Sequence, residues 1–287
     1  MKRVTTGLRR CRHAFLGALA CALLPVQALA DNVQAVFDRA GLGVQVDAIG
    51  PQIRDAFDAA WLDIGHGDDD PMADTVRETI DTAFSADAAR DAMLDALTTE
   101  LTSRERDEVL QWFESEVGKR ILRAEQLAVH SDITAFEDYL DGEGSTPLDA
   151  EREAVFYQLD GALGSTLGAA RLLMQFDLAV AIAQQAAYAD AYDPADSALP
   201  FALPSVDEYA AAVTSHVLAH HQFAFRDIST LDLKRYIAFA SSASGARYAA
   251  AVQQGLEQAI NGGTWTLITR LLERERPAGQ LMTRLTL

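Results

Sequence analysis

The histidines are the residues of this chain whose spacing comes nearest to a chemical site. His216 and His220 are one helical turn apart, so both imidazoles can chelate a transition metal from one helix face. His221 follows directly. The three residues between the pair lack the glutamate of an H-E-x-x-H metallopeptidase helix. His216 and His220 are therefore weak metal candidates that need a further ligand, such as Asp207 or Asp227, and a partly buried polar helix face is the simpler interpretation.

A second group with possible metal ligands is an acidic loop, in which His66 stands among Asp63 and residues 68–70. Carboxylate oxygens suit Ca²⁺, but the spacing differs from that of an EF-hand loop. A solvated loop before a helix that begins near Pro71 is the better interpretation, since carboxylates are favourable near a helix N-terminus.

Other catalytic patterns are missing from the sequence. The glycine-rich stretch 161–168 matches neither the G-x-S-x-G nucleophile elbow nor a phosphate-binding loop. Lys119 and Lys234 are the only lysines after residue 30, and both cysteines, Cys11 and Cys21, lie before it. These counts exclude a cysteine nucleophile and a thiolate metal site after residue 30. We assign no catalytic residue and predict no cofactor.

Residues 1–30 have the pattern of a cleavable secretory signal peptide. Five basic residues and no acidic ones precede or flank the apolar run from Ala14 to Leu24, which is too short to span a bilayer. Ala28 to Ala30 supplies the small residues that signal peptidase accepts, so Asp31 is the expected mature start. Cys21 leaves lipoprotein anchoring as an alternative, but the apolar run continues past it, which favours ordinary cleavage.

The charge of the chain restricts its partners. The chain has 24 basic and 42 acidic residues, a formal net charge of −18. Without the five basic residues of the signal, 19 basic residues stand against 42 acidic ones, a net charge of −23. Such a surface repels phosphate backbones and anionic lipid head groups. We expect no nucleic-acid binding and no stable membrane insertion after cleavage, and the oligomeric state is left open.

Helical periodicity dominates the rest of the chain, and no alternating strand pattern stands out. Apolar residues recur at three- and four-residue spacing over 109–121 and over 236–248, which predicts one amphipathic helix in each run. Segments rich in Asp, Gly, Ser and Pro separate such runs. The predicted fold is an all-α helical bundle. Its predicted division is a signal peptide at 1–30, a first helical repeat at 31–141, a linker at 142–148, a second helical repeat at 149–273 and a C-terminal tail at 274–287.

The division into two repeats depends on an internal similarity. When Ser115 is aligned with Ser242, Gly118 aligns with Gly245 and Arg120 with Arg247, without a gap. Upstream, an Ala-Val-Phe triplet opens each half, at residues 35–37 and 154–156. Two similar elements in the same order favour a duplication over chance.

The repeated positions have physical explanations. Thr102 with Glu105, and Ser229 with Asp232, have the spacing of a capping box at a helix start. The glycine that follows costs a helix about 1 kcal/mol relative to alanine. We expect that Gly118 and its counterpart offset this cost by letting a neighbouring helix approach closely.

The stretch from Trp112 to Ile121 resembles the F-Y-x-S-P-x-G-K-K signature of a family of exported bacterial proteins, domain of unknown function 2059. Members are typically secreted, helical and uncharacterised, with an acidic residue upstream of the signature. Glu116 and Ala243 stand in place of the signature proline. The resemblance implies an exported helical protein and brings no catalytic residues. The residues that carry it are Glu105, Trp112, Phe113, Ser115, Gly118 and Arg120 in the first copy and Asp232, Ser242, Gly245 and Arg247 in the second.

The sequence therefore favours a non-catalytic helical protein that acts through protein contacts in the cell envelope, in the periplasm of a Gram-negative bacterium. An envelope protein is the expected partner. Carriage of a small apolar ligand or a metal within the bundle is an alternative, because helix bundles place such sites between facing helices. An envelope hydrolase is a further alternative, which requires His216 and His220 to converge with a carboxylate.

Overall fold

The computed structural model describes residues 32–63, 71–129, 133–142, 144, 147–187 and 204–274. Within these ranges the chain is helical and contains no strand, which confirms the predicted all-α class. No helix in these ranges is long and apolar enough to cross a membrane. The predicted signal peptide, most of the acidic loop around His66 and nearly all of the C-terminal tail lie outside the described residues.

Twelve helices account for most of the described chain. A first short helix, α1, covers residues 32–39. The others are α2 (Leu42–Asp63), α3 (Pro71–Ala83), α4 (Ala86–Glu100), α5 (Ser103–Glu114), α6 (Glu116–Val129), α7 (Ile133–Asp141), α8 (Ala150–Leu163), α9 (Ser165–Ala187), α10 (Val206–Ala224), α11 (Thr230–Ala240) and α12 (Ala243–Arg274).

Side-chain caps explain where several helices begin. Thr102 and Glu105 form the predicted capping box at the start of α5, in which each side chain bonds the backbone N–H of the other residue. At the start of α11 the Ser229 hydroxyl accepts a hydrogen bond from the Asp232 N–H (3.1 Å). The shorter Asp232 carboxylate instead binds two arginines, Arg120 and Arg235. The predicted box at α11 is therefore formed in its first half, and its acidic residue serves another contact.

The helices enclose two hydrophobic cores. The first core is formed mainly by α1 to α5 with α9 and α12, around residues such as Phe37 and Trp61. The second is formed by α6, α8, α10 and α11, around Phe156. Trp112 and Phe239 pack against both cores. Contact between these two rings therefore joins the two cores of the bundle.

Two apolar runs that the sequence predicts as single helices are each divided in two. The run over 109–121 breaks at Ser115, between α5 and α6, and the run over 236–248 breaks at residues 241–242, between α11 and α12. The apolar spacing continues through both breaks, but the two helices at each break serve different cores: α5 and α12 pack into the first core, and α6 and α11 into the second. Each break makes a corner, and the corners contain the predicted signature residues.

Candidate functional site

The first corner, residues 102–121, turns at a serine that holds both helix ends. The Ser115 hydroxyl donates to the Trp112 carbonyl oxygen in the last turn of α5 (2.6 Å) and accepts from the Gly118 N–H in the first turn of α6 (2.9 Å). It thereby adds a second bond to a last-turn carbonyl that also accepts from the Ser115 N–H (3.0 Å), and it satisfies a first-turn amide of the next helix.

The second corner, residues 229–248, has the same construction. The Ser242 hydroxyl donates to the Phe239 carbonyl oxygen (2.6 Å) and accepts from the Gly245 N–H (3.1 Å). The same residue types therefore make the same two bonds at aligned positions in both corners.

The corner glycines are required by the preceding helix, not by a neighbouring one. A Cβ atom on Gly118 would lie 2.0 Å from the Trp112 carbonyl oxygen, and one on Gly245 would lie 2.0 Å from that of Phe239. Both distances are far below van der Waals contact. The expectation that these glycines admit a neighbouring helix is therefore wrong, since the close approach is to the backbone immediately before each serine.

The two corners face each other and exchange ion pairs. Arg120 of the first corner binds Asp232 of the second, with Nη2 2.9 Å from Oδ2. Arg247 of the second binds Glu105 of the first, with Nε 3.2 Å from Oε1. Because Arg120 aligns with Arg247 and Glu105 with Asp232, each contact repeats the other with the two corners exchanged. This is the pattern of a two-fold, self-complementary interface.

These contacts stabilise the ionised forms of the Glu105 and Asp232 carboxylates. Hydrogen bonds from Thr102, aided by the charge of Arg247, hold the pKa of Glu105 below its ordinary value. The hydrogen bond from Arg120, with further help from Arg235, lowers the pKa of Asp232. Both acids therefore remain ionised at and well below neutral pH.

Aromatic rings fill the space between the corners. Trp112 stacks on Phe239, its own counterpart in the alignment, with centroids 4.6 Å apart and planes 6° from parallel. Tyr236 stacks on the same indole at 5.9 Å. Phe113 meets Phe239 and Tyr248 edge to face, at 6.4 and 5.5 Å. The signature aromatics Trp112 and Phe113 thus pack within the chain.

Two acidic residues that sequence reasoning missed also lie at this interface. The Glu125 carboxylate on α6 accepts a hydrogen bond from the Tyr236 hydroxyl (2.8 Å), and burial raises the pKa of Glu125 to about 7. Glu108 on α5 accepts from the Ser244 hydroxyl, and that bond, with one from Arg104, lowers the pKa of Glu108. Neither acid belongs to a motif, and in so acidic a chain no sequence signal separates them from the others.

Arg106 is a buried charge inside the first corner. It is 3% exposed, and among the described residues it is the only charged one in the buried class. Its Nη2 lies 3.4 Å from the Ser103 hydroxyl, while Nε and Nη1 have no hydrogen-bond partner within the described structure. The aligned residue in the second corner is Leu233, which is fully buried.

The histidine pair packs against α7. His216 and His220 pack against the same ring, Phe136 of α7, with centroids 5.4 and 5.8 Å away. Burial, and then the charge of His216, lowers the pKa of His220. His221 stacks on Phe225, and burial lowers its pKa to about 4. Within the part of the chain that the structure describes, no group of three or more His, Cys, Asp or Glu side chains is arranged to hold a metal.

Comparison with known proteins finds a similarity over a part of the chain that includes the first corner. Residues 87–141 match the profile of a family described as "Uncharacterized protein conserved in bacteria (DUF2059)". The matched range contains the first corner and supports its resemblance to that family, and the second corner lies outside the range. No curated protein and no solved structure gives a significant match.

Proposed function

We propose that this chain is an exported, non-catalytic helical scaffold that works through protein contacts in the bacterial periplasm. The observation that carries the proposal is the exchange of ion pairs between the two corners. The signature arginines and acids bind one another inside the chain. Their charges are therefore paired with one another across the corners, although the two arginine side chains stay about half exposed.

We further propose that the two corners are diverged copies of one unit. The reciprocal ion pairs and the repeated Ser–Gly bonds support this, and so does the chain upstream. Within the described residues, positive φ angles occur at Gly41 (67°) and Gly164 (65°). Gly41 separates α1 from α2, and Gly164 separates α8 from α9, two long helices of 22 and 23 residues. Each glycine follows a helix that buries the Val-Phe of its Ala-Val-Phe triplet.

The absence of a catalytic role in this proposal follows from how the candidate groups are used. The ring of Phe136 occupies the side of α10 where both His216 and His220 make aromatic contacts. A hydrolase needs a nucleophile or activated water beside a base that a third group orients. The packing of both histidines against one phenyl ring favours a structural role for them.

Export to the periplasm is proposed from the sequence pattern of residues 1–30 and from the net charge of −23 that cleavage would leave. The experiment is to express residues 1–287 in a Gram-negative host, separate the compartments and measure the native mass. A matched variant, Leu23→Arg, interrupts the apolar run of the signal. We expect the wild type in the periplasmic fraction with the mass of residues 31–287, and the variant unprocessed in the cytoplasm.

The same mass measurement tests the scaffold role. A clean mass of the polypeptide, alone or in complex with another protein, agrees with the proposal. A stoichiometric small-molecule or metal adduct would favour the carrier alternative instead. Retention of the unprocessed wild type in the cytoplasm would disprove export.

A further inference from the structure

A half-buried carboxyl group just beyond the first corner is hydrogen-bonded to the second corner, where the scaffold does not require one. Glu125 lies on α6, one turn beyond the buried Ile121 of the second core. Its carboxyl group accepts a hydrogen bond from Tyr236 of α11 at 2.8 Å, so the bond crosses from the helix that leaves the first corner to the helix that enters the second. Tyr248 of α12 is also within the electrostatic influence of Glu125, which helps burial to raise the pKa of that phenol.

The polar cluster is present on one side of the corner interface only. In the alignment that pairs Ser115 with Ser242, apolar residues stand at all three counterpart positions. The aligned pairs are Glu125 with Val252, Tyr236 with Val109, and Tyr248 with Ile121. Three apolar residues therefore occupy the aligned positions on the other side of the corner interface. The helix–serine–helix arrangement that both corners share can thus be built without a carboxyl group there.

Among the described residues, no charged group on the elements around α6 contributes to the pKa of Glu125. From α5 the indole of Trp112 packs against the same core, from α11 comes Tyr236, and from α12 comes Tyr248. On α10, His221 stacks beside an aromatic neighbour of Tyr236, but its pKa responds to burial and to groups on α8 and α10. Burial and the Tyr236 hydrogen bond are the two influences on the pKa of Glu125. A carboxylate among such neighbours is stabilised by one phenol alone.

We propose that Glu125 and Tyr236 form a proton-controlled latch, in which the corners stay closed while Glu125 is a neutral acid and loosen when it ionises. The latch goes beyond the scaffold role, because it makes the stability of the scaffold depend on pH. It requires the corner interface and neither export nor a partner.

The direction of the pH effect follows from linkage. Burial raises the pKa of Glu125 from 4.5 to about 7, and the bond from Tyr236 partly opposes this rise. Between these two pH values the folded chain holds a proton that the unfolded chain has lost. The contribution of Glu125 to stability is therefore full below about pH 4.5 and falls as the pH rises to about 7. His221, with a pKa of about 4, has the opposite effect between pH 4 and its ordinary value of 6.5.

Because these effects oppose each other, the test compares variants at each pH. Glu125→Gln keeps an oxygen that accepts from Tyr236 but cannot ionise. Urea unfolding of the mature chain and of this variant at pH 5 to 8 gives the ratio of their unfolding constants. We expect the ratio of wild type to variant to rise about 100-fold from pH 5 to pH 8. Glu108→Gln is the matched control, and its ratio should stay constant, because the lowered pKa of Glu108 keeps it charged throughout.

Hydrogen exchange locates the opening. At pH 8 the amides of α11 should exchange faster in the wild type than in Glu125→Gln, and the difference should be larger there than in α4. Comparison at one pH cancels the intrinsic pH dependence of exchange. A constant unfolding ratio, or an equal difference in α4 and α11, would overturn the latch.

A second variant keeps the test decisive if Glu125→Gln does not fold. Tyr236→Phe preserves the ring and removes the hydroxyl whose hydrogen bond favours the ionised form of Glu125. The pH window in which stability falls should therefore move to higher pH. A window that stays in place or moves to lower pH would count against the proposal.

Discussion

The two corners share their backbone hydrogen bonds and ion pairs, and they differ in the residues that pack between the helices. In both, a serine bonds the carbonyl oxygen three residues before it and the glycine amide three residues after it. In both, an arginine reaches the acidic residue at the start of the other corner. These shared positions make the same local bonds and the same cross-corner ion pairs in both corners.

The interior positions diverge in polarity. Arg106 of the first corner aligns with Leu233 of the second, and just beyond the corners Glu125 aligns with Val252. Buried charged groups are costly, and an apolar residue at the aligned position is the cheaper solution for packing. The shared residues define the scaffold, and a property other than packing should be sought at the unshared polar residues Arg106 and Glu125.

The largest effect is expected where the corners touch. Trp112→Ala and Phe239→Ala each remove a ring that packs against both cores and should each lower the free energy of unfolding by about 3 kcal/mol. The double variant should lose about 1 kcal/mol less than the sum, because the rings stack on each other. Urea unfolding measures all three.

Trp265→Ala is the control for that pair, since this tryptophan is 71% exposed and its loss should change stability by less than about 0.5 kcal/mol. A control as damaging as Trp112→Ala would contradict the assignment of Trp112 as the junction of the two cores.

The next effect tests whether the two corners are equally constrained. Gly118→Ala and Gly245→Ala each place a Cβ atom 2.0 Å from a carbonyl oxygen, so the backbone must shift. We expect each to lower the free energy of unfolding by about 2–3 kcal/mol in urea titrations. Gly262→Ala, on α12 in open space, should instead stabilise the chain by up to about 1 kcal/mol. Unequal losses at Gly118 and Gly245 would show that one corner can relax where the other cannot.

Much of this frame is predictable from the sequence, because local signals determine it. The capping box at Thr102, the helix start at Pro71 and the aligned Ser, Gly and Arg positions all depend on residues within one or two turns of one another. The two breaks were missed because apolar spacing continues through Ser115 and through residues 241–242. The predicted close helix approach occurs elsewhere, where Gly255 of α12 lies against Met93 of α4.

The contacts between the corners were not predictable, because they join residues more than a hundred positions apart. Arg120 and Asp232 were each identified from the repeat, but the repeat alone does not say that they bind each other. No sequence pattern distinguishes Glu125 from the other acidic residues. Its raised pKa is a consequence of burial, which depends on how α6 packs against α10 and α11.

A smaller effect, of opposite sign, tests the unshared position Arg106. Arg106→Leu installs the residue of the second corner in the first and removes a buried guanidinium whose Nε and Nη1 have no partner in the described structure. We expect the free energy of unfolding to rise by about 1–2 kcal/mol in urea. The reciprocal change, Leu233→Arg, should be strongly destabilising because Leu233 is fully buried in the second core. Destabilisation by Arg106→Leu would mean that an anion stabilises Arg106 in the folded protein.

The smallest effect concerns the exchanged ion pairs, whose value lies in their symmetry. Double-mutant cycles with Arg120→Met and Asp232→Asn, and with Arg247→Met and Glu105→Gln, measure the coupling free energy of each pair in urea. Methionine keeps most of the apolar stem, and glutamine can still close the capping box with Thr102. We expect favourable couplings of similar size, smaller than any effect above, that weaken between 50 and 500 mM salt.

The local Lys119–Glu116 pair, with both side chains more than half exposed, should show no measurable coupling. Because the two exchanged pairs are related by the same pseudo-two-fold arrangement, coupling in one and none in the other would mean that the corners do not dock symmetrically, and the case for two copies of one unit would lose its strongest support.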